Sequence, residues 1–110
     1  MSGGPSKLPP RPAPAGSFQR LIEEIYFERD HARGTNGTLL WFVEEVGELV
    51  RAIRRKERQN LEEEFGDVYA WLATLASLHG LDLDAIGRKK YGKGCTRCSA
   101  TPCSCPHPAS

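Results

Sequence analysis

Apolar and polar residues follow one another along most of this chain with a helical period. Phe18, Leu21, Ile22, Ile25 and Tyr26 or Phe27 share one face, which predicts a first helix over 17–33 with Ser17 as its N-cap. Gly34 and the Thr35-Asn36-Gly37 run then break the pattern. A second helix is predicted over 38–56, where Leu39, Val43, Val46, Val50 and Ile53 recur at steps of three and four and form the stripe expected to be buried. Asn60 is placed to cap a third helix, with Glu63 completing a capping box. Leu61, Phe65, Val68, Leu72, Leu75 and Ala76 make its core face as far as His79, and Gly80 ends it. Asp82 can cap a short fourth helix through Ala85, Ile86 and Lys90. No stretch alternates with period two for long enough to predict a strand. The expected fold is all-α, a bundle of four helices.

Composition divides the 110 residues into three parts. Residues 1–16 hold five of the eight prolines with Gly, Ser and Ala, so a disordered or polyproline-like lead is expected. Residues 17–91 make the helical domain, and 92–110 form a tail rich in Gly, Cys, Pro and Ser. A net charge of +1 with 26% charged residues argues against a nucleic-acid partner held by bulk electrostatics. No apolar run approaches the roughly 20 residues that cross a bilayer, and the lead lacks the apolar centre of a secretory signal. The expectation is a cytoplasmic protein with no membrane partner, whose four cysteines are not paired as disulfides.

Two acidic pairs carry the candidate chemistry: Glu45-Val46-Gly47-Glu48 and Glu64-Phe65-Gly66-Asp67. A spacing of three puts both carboxylates of a pair on the same side of a helix, beside its apolar stripe. Packing the two stripes together would gather four negative charges in a partly desolvated groove, which calls for a divalent cation. The alternative is a solvated face on which these acids pair with Arg51, Arg54, Arg55 and Lys56. Gly47 and Gly66 each cost about 1 kcal/mol of helix stability relative to Ala, which points to a close approach of helices or of a ligand.

The string Leu40-Trp41-Phe42-Val43-Glu44-Glu45-Val46-Gly47-Glu48-Leu49, followed by Glu63-Glu64-Phe65-Gly66-Asp67-Val68-Tyr69-Ala70-Trp71-Leu72, resembles the MazG-like branch of the all-α nucleoside triphosphate pyrophosphohydrolases. That family is marked by Glu-x-x-Glu on one helix and Glu-x-x-Asp on the next, and the resemblance covers roughly residues 18–91. It implies a MazG-like bundle that splits a nucleoside triphosphate into the monophosphate and diphosphate with Mg2+, or Mn2+ in its place, and a role in clearing unwanted nucleotides. By motif position the metal ligands are Glu45, Glu48, Glu64 and Asp67. Glu44 or Glu63 is the candidate acceptor of the attacking water's proton.

The run Arg88-Lys89-Lys90-Tyr91 resembles a basic, Tyr-ended segment that approaches the phosphates in relatives. Arg88, Lys90 and Tyr91 are therefore candidate substrate contacts, against the alternative of a basic helix end favoured by the macrodipole. Trp41 and Trp71 are candidates for stacking on a nucleobase, or else are core. Relatives form dimers or tetramers. Phe42, Leu49 and Trp71 lie toward a second side of their helices, which suggests a homodimer or homotetramer surface.

The tail adds Cys95-x-x-Cys98, Cys103-x-Cys105 and His107. Thiolates so spaced can fold a loop around structural Zn2+. A flexible thiol-rich tail without metal and a redox role are the other readings. The corresponding alternative for the whole protein is a non-catalytic, zinc-stabilised helical module that senses nucleotides or binds a partner.

Overall fold

Ser17 caps the first helix as its position suggests, its Oγ accepting from the Arg20 N–H at 3.0 Å. In this computed structural model, which describes residues 8–56 and 58–106, that helix is α1, Phe18–Arg55. His107 lies outside the described residues. α1 spans the first two expected helices, so the described residues form three helices where the pattern predicts four. The expected break is nevertheless present at Gly34, and only the loop expected after it is missing. Gly34 stands at φ 82° and ψ 173° inside an otherwise continuous helix, a conformation open in practice to glycine alone. The chain kinks there and resumes its helix at once, so Thr35, Asn36 and Gly37 are helical and not a loop. Fully buried Thr38 donates from Oγ1 to the Gly34 carbonyl at 2.8 Å, which ties the two halves together.

Lys56 ends α1 in the left-handed conformation, and α2 follows as Arg58–Leu78. It starts two residues before the expected cap, so Asn60 sits in its first turn. Asp82 caps α3, Leu83–Tyr91, by accepting from the Ala85 N–H at 3.3 Å.

After the kink, α1 runs antiparallel to α2. Its less exposed positions include Thr38, Phe42, Glu45, Leu49 and Ala52, with Val46 and Glu48 half-buried beside them. Those of α2 include Leu61, Glu64, Val68, Trp71, Leu75 and Leu78, with Ala73, Thr74, Ala76 and Ser77 buried more deeply where the start of α1 also packs. Steps alternating between three and four are those of two helices packed along a shared seam. The expected faces hold in part: Leu61, Val68, Leu75 and Ala76 of α2 turn inward as the pattern predicts and Val46 of α1 is half-buried, but most of the expected α1 stripe is not covered. Leu39, Val43, Val50 and Ile53, read from the sequence as the buried stripe, are exposed, as are Phe65 and Leu72 on α2. Phe42, Leu49 and Trp71, read as a second side, are half-buried in the seam. A single chain covers the less apolar of the two stripes.

The segment before the kink buries Gln19, Ile22, Glu23, Phe27 and Asp30. Its hydrogen bonds reach the later part of α2: Thr74 Oγ1 donates to Asp30 Oδ2 at 3.0 Å, and Ser77 Oγ donates to Glu23 Oε2. Residues 8–16, part of the lead expected to be disordered or polyproline-like, pack against this segment. The Ala13 N–H donates to Glu23 Oε2 at 3.3 Å, and the Arg11 guanidinium lies 5.5 Å from the Phe27 ring centre. A carboxylate that is 1% exposed needs donors, and the lead supplies one. No described helix is long and apolar enough to cross a membrane.

Candidate metal centre

Glu45 and Glu64 occupy seam positions, so helix pairing brings them face to face, and Asp67 stands one turn beyond Glu64. One carboxylate oxygen from each of the three lies within 4.8 Å of the other two. Burial is the main reason that the Glu45 carboxyl is pushed up from 4.5 to about 7. A hydrogen bond with Glu64 and the charges of Asp67, Glu64 and Glu48 act in the same direction. Glu64 Oε1 is buried with no hydrogen-bond partner among the described residues. A buried carboxylate oxygen left without a donor, beside two more acids, fits a hard dication held by oxygen ligands.

Glu48 is not in this group of three. It pairs with Arg51 Nη2 at 2.8 Å, as the solvated-face reading anticipates for this one residue. Glu44 and Glu63 are exposed. Close approach of helices does not account for Gly47 and Gly66, because a Cβ at either would meet nothing within 4 Å.

Beside Asp67 opens a hollow of about 210 Å³ whose walls include Tyr26, Asp30, Arg33, Trp71 and Thr74. Trp71 meets two neighbours here. The Trp41 ring stacks on it with centroids 6.1 Å apart and planes 7° from parallel, and the Arg33 guanidinium lies 4.9 Å from its centre. Arg33 also donates to Asp30 Oδ1 and to Thr38 Oγ1, each at 3.1 Å. The sequence reading missed Arg33 and Asp30. Their signal was an acid at a helical step from Phe27, on a face that must be buried, with a base one turn on.

Arg88 and Tyr91 line a different and larger cleft, of about 800 Å³, between the start of α1, α2 and α3. None of the three clustered carboxylates lines it. Of the clustered carboxylates only Asp67 lines the smaller hollow. Arg88 is paired with Asp84 at 2.8 Å, and Lys90 Nζ lies 5.9 Å from the Tyr91 ring centre. The four cysteine sulfurs also come together, with a ligand atom from each within 4.8 Å of the others.

Among known families, the MazG nucleotide pyrophosphohydrolase domain matches residues 33–100, which starts at the kink and takes in both acidic pairs. No curated protein matches the chain.

Proposed function

The chain belongs to the MazG nucleotide pyrophosphohydrolase family, and we propose that it hydrolyses nucleoside triphosphates to the monophosphate and diphosphate with Mg2+, or Mn2+ in its place. The observation that carries this reading is the convergence of Glu45, Glu64 and Asp67 from two helices, with one Glu64 oxygen buried and unpartnered. These three would hold the metal, and Glu48 would join them by releasing Arg51. When bound, Mg2+ neutralises triphosphate oxygens and lowers the pKa of a water.

In the reaction, water oxygen bonds to the α-phosphorus, the bond from that phosphorus to the α–β bridging oxygen breaks, and diphosphate leaves. Glu44 or Glu63, each next to a clustered acid in sequence and each exposed, would accept the water's proton. The hollow beside Asp67 would take the nucleoside end, with Arg33 and Trp71 on its wall. Arg88, Lys90 and Tyr91 would meet the triphosphate only if α3 or another chain brought them to the acids. A homodimer or homotetramer is part of the reading, and a nucleotide-clearing role follows from it.

The test incubates the purified chain with Mg2+ and a panel of ribo- and deoxyribonucleoside triphosphates and looks for monophosphate and diphosphate. E64Q and D67N should each lower turnover by at least about 100-fold, since even the partners of metal ligands are worth about 10- to 100-fold. No turnover by the wild type, or full turnover by either variant, overturns the reading.

A further inference from the structure

We propose that Cys95, Cys98, Cys103 and Cys105 form a structural Zn2+ site that closes residues 94–105 into a knuckle at the end of α3. The site is separate from the acidic cluster and does not depend on hydrolysis. Tetrahedral zinc with Zn–S bonds of about 2.3 Å requires sulfurs about 3.8 Å apart. Cys95 Sγ stands 3.7 Å from Cys105 Sγ and 3.5 Å from Cys103 Sγ. All four sulfurs lie within 4.8 Å of one another. A disulfide would instead bring two sulfurs to about 2.05 Å and leave the others apart. Here the four converge on a common centre, with Cys95 near two partners at once.

The backbone around the sulfurs is shaped for the same purpose. Cys95 N–H donates to the Ala100 carbonyl at 3.0 Å and Ser99 N–H to the Cys95 carbonyl at 2.8 Å, which closes the Cys-x-x-Cys turn, with Ser99 at φ 61°. Gly94 stands at φ 96°, where a Cβ would come within 2.9 Å of the Ala100 carbonyl oxygen, so only glycine fits that approach. Three amides point at sulfur: Arg97 N–H to Cys95 at 3.4 Å, Ser104 N–H to Cys98 at 3.3 Å, and Cys105 N–H to Cys103 at 3.4 Å. Donors aimed at sulfur favour the anionic thiolate that a metal requires. An all-thiolate tetrahedral set suits zinc, with iron as the competing ion. The Gly94 N–H bonds the Tyr91 carbonyl at 2.9 Å, so a fixed knuckle also fixes the last turn of α3.

The test uses the full chain purified under reducing conditions. Elemental analysis should find one zinc per chain, and the four thiols should resist alkylation until a chelator is added. Cobalt in place of zinc should show the charge-transfer and visible bands of a tetrahedral thiolate site. Chelation should raise amide exchange over 94–105 while α1 and α2 keep their protection. C98S and C103S should lose the zinc, whereas E64Q and D67N should keep it; alkylation of the wild type answers the question if the cysteine variants fail to fold. The proposal is overturned by four freely reactive thiols in excess zinc, by thiols lost to disulfides, by zinc that stays when the cysteines are replaced, or by iron as the resident ion.

Discussion

In the metal-free chain the Glu45 carboxyl holds its proton up to about pH 7, because burial and then Glu64, Asp67 and Glu48 oppose its charge. Its ordinary value is 4.5, so the folded chain binds this proton more tightly than the unfolded chain does. The stabilisation from this group is therefore complete below pH 4.5 and lost as pH rises through about 7. Urea unfolding of metal-free wild type and E45Q across that range should show the difference in midpoint falling with pH, and saturating Mg2+ should offset the fall in the wild type. Parallel pH profiles would remove the account of Glu45. Gly47 and Gly66 allow a second prediction at this scale. A Cβ at either meets nothing, so G47A and G66A should each stabilise the chain by about 0.5–1 kcal/mol, read from the same unfolding midpoints.

At the level of elements, Gly34 decides how the first two predicted helices are joined. Replacing it with Ala forces a side chain into φ 82°, ψ 173°, and should cost about 1–3 kcal/mol of stability in denaturant unfolding. The break itself was legible in the sequence, as were the caps at Ser17 and Asp82 and the two acidic pairs. The covered face of α1 was not. Between 38 and 53, α1 carries two stripes, and the more apolar one, from Leu39 to Ile53, dominates any reading by period. The seam instead takes Thr38, Phe42, Glu45, Leu49 and Ala52, because that face meets Glu64 and Trp71 across the pair. Long-range partners explain the other misses. Glu23 and Asp30 look like solvated acids until Ser77 and Thr74, more than forty residues away, supply their hydrogen bonds. Three of the four acids proposed from spacing do meet, whereas Glu48 is turned aside by Arg51, a choice between rotamers that spacing does not encode.

The described chain is extended, with a radius of gyration of 17.6 Å and extents of 62 × 36 × 25 Å. A compact domain of this length has a radius near about 13 Å. Elongation leaves apolar residues uncovered: Leu40 is 75% exposed and Val43 66%, and Leu39, Val50 and Ile53 continue along the helix. Phe65 and Leu72 are likewise exposed on α2. A patch of this composition is rarely left to water in a monomer. Its position also matters, because Val43 lies two residues from Glu45, so a chain seated on this stripe would stand close to the acids. The expected outcome is a dimer or tetramer by sedimentation equilibrium at micromolar concentration. V43E with V50E should shift it to monomer, through like charges placed where apolar surface was to be buried. Neither residue belongs to the acidic cluster, so a fall in turnover that tracks dissociation, and recovers with rising protein concentration, would mean that a second chain completes the site. A wild-type chain that sediments as a monomer throughout would assign the exposed stripe another role and leave Glu45, Glu64 and Asp67 to act within one chain.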